Sequence, residues 1–265
     1  MNQNTIIADI GNSFIKIKHN DTVNSIYINE LVIDNIKKII DITTIHTAVI
    51  ASVNNEMGQL LVNFFADNNI TVILDDSLLR QQNIIDFHNI EGMGNDRKLG
   101  LLGALTFYQT PIITIDCGTA ITVNILDTNC ICKGGIIMCG VGTQTKALSE
   151  YAPGLPIVKV NKENHGIINN TENAINTGII SAVRGGIVDF IYSIIFKEKL
   201  DNTNVIFTGG YGDLVFKLCA KSIYKINSKS QKTRYMNNFK ILKVEVKKNL
   251  VFYGLEKLLI ETVCE

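Results

Sequence analysis

Asp-x-Gly followed by a small polar residue occurs twice, each time at the end of an apolar run rich in β-branched residues. The first copy is Thr5-Ile6-Ile7-Ala8-Asp9-Ile10-Gly11-Asn12-Ser13; the second is Ile112-Ile113-Thr114-Ile115-Asp116-Cys117-Gly118-Thr119-Ala120. Runs of this kind read as buried strands. Each copy leads into a second β-rich stretch, Phe14 to Lys18 and Ile121 to Leu126. A carboxylate at a strand end can face a metal ion. A glycine two residues on lets a phosphate approach the backbone, and the hydroxyl or amide beside it can donate to phosphate oxygens. One Asp-x-Gly also closes an ordinary turn. Two copies with matching flanks constrain the chain further: they imply two similar halves with a nucleotide between them.

At 265 residues the chain fits one large domain or two of ordinary size. Hydrophobic residues, at 46%, suffice for buried cores, and a formal net charge of zero favours neither nucleic acid nor an anionic membrane as partner. The one basic region, Lys217 to Lys248, reads as a solvated face. No apolar run reaches the ~18 residues of a membrane span, and the chain opens directly into a strand rather than a leader. The six cysteines form no Cys-x-x-Cys pair and no zinc spacing with the four histidines. Cys130 and Cys132 read as alternate faces of a strand. These features point to a reduced, cytoplasmic protein.

Hydrophobic periodicity predicts strands at 5–10, 13–18 and 22–28, a helix over 29–40, a strand at 46–51, a helix over 55–67 and a strand at 70–74. A loop follows, then a helix over 95–108 that stops before Pro111. The second half starts again, with strands at 112–117, 120–127 and 130–138 and helices over 141–150 and 171–198. A short strand, Val205-Ile206-Phe207, precedes a helix over 211–220, and an amphipathic helix covers 249–262. Three strands followed by alternating helices and strands, done twice, make an α/β chain with two related halves. The boundary is expected near Thr110, giving halves 1–110 and 111–265.

Between the two Asp-x-Gly copies lies Gly92-Met93-Gly94-Asn95-Asp96-Arg97. It is not a dinucleotide loop, because Arg97 replaces the third glycine and no strand immediately precedes it. It places an Asp and an Arg side by side at a helix N-terminus, where free N–H groups and the helix dipole favour anions. Such an Asp can take a proton from a substrate hydroxyl, and the Arg can hold a carboxylate or spread phosphoryl charge. Read by itself, the segment is more simply a helix-capping Asp beside a solvated Arg. Gly134-Gly135 and Thr208-Gly209-Gly210-Tyr211-Gly212 suit close backbone approach to a ligand, and the latter also serves as a strand-to-helix turn.

In their order these motifs resemble the type III pantothenate kinase family. The resemblance is carried by Asp9-Ile10-Gly11-Asn12-Ser13-Phe14-Ile15-Lys16, by Gly94-Asn95-Asp96-Arg97 and by Asp116-Cys117-Gly118-Thr119-Ala120-Ile121-Thr122. It continues through Gly134-Gly135-Ile136 with Gly140, Leu155-Pro156, Asn170-Thr171 with Ala174-Ile175-Asn176-Thr177-Gly178, and Gly186-Ile187-Val188-Asp189. Thr208-Gly209-Gly210 and Asn249-Leu250 with Gly254-Leu255 complete it.

The resemblance implies two ribonuclease-H-like (actin-like) halves with a nucleotide cleft between them, and phosphorylation of pantothenate by ATP. It implies that Asp9 to Lys16 bind the ATP phosphates and magnesium, with Asp9 reaching the metal indirectly. Asp96 is then the general base, Gly94 to Arg97 line the pantothenate site, and Thr119 contacts ATP. Asp116 would bind a monovalent cation, K+ or NH4+. Thr171 would contact pantothenate in the other subunit of a homodimer, and Phe87 matches a position that is often Tyr. Cys139 stands where Pro is common, and Asn124 where Asp is frequent. The alternatives on the same scaffold are a non-catalytic regulatory protein and a kinase for another small hydroxylated substrate.

Overall fold

The computed structural model describes residues 3–28, 31–161, 168–227 and 239–264. The chain divides into two compact units. The first comprises Met1–Ile85, Glu91–Thr106 and Leu250–Glu265; the second comprises Asp86–Ile90 and Phe107–Asn249.

Unit one is built on β1 (Thr5–Ile10), β2 (Phe14–His19), β3 (Thr22–Tyr27), β4 (Thr47–Ser52) and β5 (Thr71–Leu74), in the sheet order β3-β2-β1-β4-β5. The first three strands form an antiparallel meander, and β4 and β5 run parallel to β1. Ile6, Ile7, Ala8 and Ile10 are all buried, so β1 is covered on both faces, which is why it reads as an almost unbroken apolar run. The helices are α1 (Val32–Ile39), α2 (Asn55–Asp67), α3 (Asp75–Gln81) and α4 (Asn95–Ala104). The Asn54 side chain accepts the Met57 backbone N–H at 3.0 Å and so starts α2, which buries Leu61 and Phe65 one turn apart.

Unit two repeats the plan. Its strands are β6 (Ile112–Cys117), β7 (Ala120–Leu126), β8 (Cys132–Cys139), β9 (Thr203–Thr208) and β10 (Ile241–Val246), in the order β10-β9-β6-β7-β8. Again the first three pair antiparallel and the last two run parallel to the first. Its helices are α5 (Val141–Tyr151), α6 (Thr171–Lys197) and α7 (Gly212–Tyr224). Along α6, Ile175, Ile179, Val183, Ile187, Ile191 and Ile195 recur every four residues and pack into the core of this unit. The expected α/β chain with two related halves is thus what the fold is.

The last helix, α8 (Leu250–Cys264), returns to unit one and packs on α4. A Cβ added to Gly103 would overlap the Leu250 carbonyl oxygen, and one added to Gly254 would overlap that of Leu99. The two helices therefore meet backbone to backbone. Lys18 of β2 adds an ion pair with Glu256, and its ammonium lies 5.4 Å from the Tyr253 ring centroid. This packing replaces the simple cut into 1–110 and 111–265: the first unit is closed by the end of the chain.

Other expectations shift locally. Strand β10 and helix α3 were not expected. Helix α4 stops at Ala104 rather than 108, since the following residues carry the chain across to unit two. Cys130 adopts φ 58° in the turn before β8, so it does not share a strand with Cys132. Residues 29–30 of the expected first helix lie outside the described residues, and α1 starts at Val32. Much of the Lys217–Lys248 region, 228–238, also lies outside them. Elsewhere in that region lysines are engaged: Lys248 pairs with Asp213 at 2.9 Å, and Lys247 lies 3.6 Å from the Phe107 ring centroid. Helix α6 is long and apolar enough, by length and composition alone, to cross a membrane, but Arg184 and Asp189 interrupt its apolar run and its Ile/Val stripe lies in the core of unit two.

Candidate active site

In unit one, Asp9 stands near the carboxyl end of β1, opposite Lys16 of β2 and beside Ala51 of β4. Ligand sites in open α/β sheets gather at this end of the parallel strands. The Gly11 N–H donates to the Phe14 carbonyl at 3.0 Å, folding Gly11-Asn12-Ser13 into a tight turn. A Cβ at Gly11 would stand 3.2 Å from that same oxygen, so the turn tolerates little more than glycine. Ile10 and Ile15 anchor the turn in the core, while Phe14 is half exposed and packs edge-on to Tyr27.

Helix α4 packs against β4, the strand next to β1. Gly94 is its N-cap residue and supplies no side-chain cap; its carbonyl accepts the Arg97 and Lys98 backbone N–H groups at 3.1 and 3.3 Å. The Asp96 carboxylate folds back over Gly94, where an added Cβ would stand 2.6 Å from Oδ1. Burial pushes the Asp96 carboxyl up; the Arg97 backbone N–H and guanidinium charge pull against that rise. The result is a partly desolvated carboxylate with a cation beside it, suited to proton transfer. Asn95 is fixed through its side chain, whose Nδ2 donates to Asp76 Oδ1 at 2.8 Å.

In unit two, Asp116 occupies the equivalent place on β6, between Thr122 of β7 and Thr208 of β9. Its carboxylate lies in space that two glycines leave open. A Cβ at Gly118 would stand 3.6 Å from Oδ1, and one at Gly209 would overlap it. Gly209 also has φ 84°, so the turn after β9 demands glycine twice over. The Gly118-Thr119 turn is held from the other side: Gly140 N–H donates to the Thr119 carbonyl at 3.0 Å, and Thr143 Oγ1 donates to it at 2.6 Å. A Cβ on Gly140 would overlap both the Gly118 and Thr119 carbonyls. Helices α5 and α7 start at Gly140 and Tyr211, beside this turn, and neither has a side-chain cap.

The carboxylate of Asp116 is a hard donor, fitting an alkali or alkaline-earth cation rather than a soft metal. Among the described residues no three His, Cys, Asp or Glu side chains are grouped to hold a metal. A cation at Asp9 or Asp116 would therefore complete its shell from backbone carbonyls, water or phosphate.

The site residues expected from the sequence fall into two sets. Asp9 to Lys16 and Gly94 to Arg97 belong to unit one; Phe87, Asp116, Thr119 and Thr171 belong to unit two. Phe87 is half-buried in the short segment whose Asp86 bridges to Ile131. Thr171 is exposed at the start of α6, after Asn170, whose side chain caps the helix through Asn173 N–H at 2.9 Å. Asp75, Asp76 and Thr143 were missed. Paired acids before an apolar segment look like ordinary first-turn charges, and nothing local in the sequence tells that Asp76 meets Asn95.

A family model described as type III pantothenate kinase matches residues 5–193. Curated proteins of that name include one from Synechococcus elongatus, 34% identical over 126 residues, covering 48% of this chain and 50% of its own length. Another, from Desulforapulum autotrophicum, is 31% identical over 183 residues, covering 68% and 70%. The chain spans about half the length of several curated relatives it matches. Among solved structures, a chain from Campylobacter jejuni, provisionally described as a Baf family transcriptional activator, superposes with TM-score 0.60 at 20% identity, covering 98% of this chain and 100% of its own. One from Listeria monocytogenes, provisionally described as an N-acetylmannosamine kinase, gives 0.54 at 13%, covering 97% and 99%. At these identities the two structures establish the fold alone.

Proposed function

The chain belongs to the type III pantothenate kinase family, and on that premise we propose that it transfers the γ-phosphoryl group of ATP to the primary hydroxyl of pantothenate, giving 4'-phosphopantothenate, the first step towards coenzyme A. The observation that carries this reading is Asp96: a desolvated carboxylate at the uncapped start of α4, folded over Gly94 and flanked by Arg97.

Phosphoryl transfer asks little covalent chemistry of a protein; positioning and charge neutralisation dominate. Asp96 accepts the proton of the attacking hydroxyl, for which it must lie within hydrogen-bond reach of that oxygen. The Arg97 guanidinium meets negative charge on the substrates. The Asp9–Lys16 turn would cradle the ATP phosphates, and Asp9 would hold the magnesium that accompanies them. Magnesium, when bound, neutralises charge on the phosphates. Asp116 holds a monovalent cation, and Thr119 meets ATP. The active unit is a homodimer in which Thr171 reaches the partner's pantothenate. Cys117, Cys130, Cys139 and Cys219 stand outside any disulfide, in keeping with a reduced cytoplasmic setting.

A coupled ADP-release assay with ATP, magnesium, potassium and pantothenate tests the reaction. Release should depend on pantothenate; release equal to that of a control lacking pantothenate overturns the assignment.

A further inference from the structure

Two carboxylates without an assigned role stand at the start of α3. Asp75 is 6% exposed. Its Oδ1 accepts the Asp76 backbone N–H at 2.9 Å, and its Oδ2 has no hydrogen-bond partner among the described residues. Asp76 faces outward. The Arg80 guanidinium approaches its carboxylate only to 3.9 Å, and both side chains are exposed, so this pair fixes little. The short contact of Asp76 is with Asn95, whose Nδ2 donates to its Oδ1 at 2.8 Å. Asn95 is the first residue of α4 and the neighbour of Asp96.

A side-chain amide offers donors at nitrogen and an acceptor at oxygen. With Nδ2 turned to Asp76, the atom that Asn95 presents to a ligand is Oδ1. We propose that Asp76, set in place by the buried Asp75, is a positioning residue that orients the Asn95 amide so that its Oδ1 accepts from a hydroxyl or amide N–H of the phosphoryl acceptor. This rests on the functional reading above and adds to it a specificity for substrates carrying such a donor, as pantothenate does. Asp75 steadies the same pair: its Oδ1 fixes the Asp76 backbone N–H, and the Asn95 amide also acts on its carboxyl.

A purely structural link between α3 and α4 would be insensitive to substrate, and kinetics separate the two. Asp76→Ala releases the amide; Asp76→Asn keeps an acceptor oxygen in the same place. Losing one such hydrogen bond should raise KM for pantothenate by about 3- to 10-fold, with kcat and the KM for ATP nearly unchanged. Asp76→Asn should restore most of the affinity. In a double-mutant cycle with Asn95→Ala, Asp76→Ala should add little, since both changes remove one interaction. Fully additive effects, or an unchanged KM for pantothenate in Asp76→Ala, overturn the proposal. Nitrogen-15 NMR gives a readout independent of turnover. The Asn95 side-chain amide signals, identified by their absence in Asn95→Ala, should move in Asp76→Ala and stay near their place in Asp76→Asn. A parent protein that does not turn pantothenate over sinks the functional reading, whereas amide signals unmoved by Asp76→Ala sink the positioning role.

Discussion

At the scale of single residues, the buried Asp75 and the half-buried Asp96 of unit one make opposite demands. Asp96 must lose its proton to act as a base, and burial resists that loss. The acid limb of kcat/KM should therefore fall above the ~3.9 of an ordinary Asp, a position that a pH–rate profile reads directly. Asp96→Asn should cut turnover by roughly 10²–10⁴-fold, the range of a general base, with an unchanged circular-dichroism spectrum; turnover within a few-fold of the parent removes Asp96 from the role. Asp75 is raised by burial, with the Asp76 charge adding to it and the Asn95 amide pulling against it. Its folded form holds a proton that the unfolded chain releases, so its contribution to stability falls as pH climbs from ~3.9 through the raised value. Asp75→Asn removes that loss. The variant should melt higher than the parent at neutral pH, with the advantage gone by about pH 4. Asp96 was singled out in the sequence only through the order of the motifs around it, since Gly94-Asn95-Asp96-Arg97 alone reads as a helix cap. The burial of Asp75 was not, because its concealment comes from elements distant in the chain.

Elements carry their own constraints. The backbone contact between α4 and α8 leaves no room for a methyl group at Gly103 or Gly254. Gly254→Ala should cost about 1–3 kcal/mol, as overpacking does, measurable by denaturant titration; Gly100→Ala, where an added Cβ meets nothing within 4 Å, is the matched control. The two strand-end aspartates should separate by ion. Asp9→Asn should raise the half-saturating magnesium concentration, and Asp116→Asn that of potassium, each by on the order of tenfold. Identical shifts in both titrations would contradict the division. Most elements were visible as periodicity, including all six strands of the two meanders. Helix α3 was not, since seven residues span too little chain to show a 3.6 period. Strand β10 was hidden by a register shift between Ile241 and Lys243, which puts its buried residues Ile241 and Val244 three apart and breaks the two-residue alternation. The duplication held the missing clue: a second half built like the first needs a fifth strand.

For the whole molecule, the repeated sheet order was the most legible property, because paired motifs with paired flanks announce it. The assembly was less so. Small residues on α6 serve packing within the chain or between chains, and the sequence does not separate these. The structure sorts them: Gly186 lies against Met138, whereas a Cβ at Gly178 or Gly185 would meet nothing within 4 Å. Mixing the inactive variants Asp96→Asn and Thr171→Tyr should restore about a quarter of parental activity if subunits exchange at random and Thr171 acts in trans, given two-fold symmetry. No recovery after exchange proven by sizing would place Thr171 in its own subunit's site or in none. The return of α8 to unit one has a consequence for biosynthesis. Domains of a growing chain generally fold N-terminal first, yet here the unit begun first is the one finished last. Every residue of unit two is translated before the helix that covers α4 exists. A nascent chain halted at Asn249 therefore carries a second unit with all its parts and a first unit whose glycine-lined α4 lacks the helix that covers it, so premature termination near the end should expose the earliest-made sequence, not the latest, to chaperones and proteases.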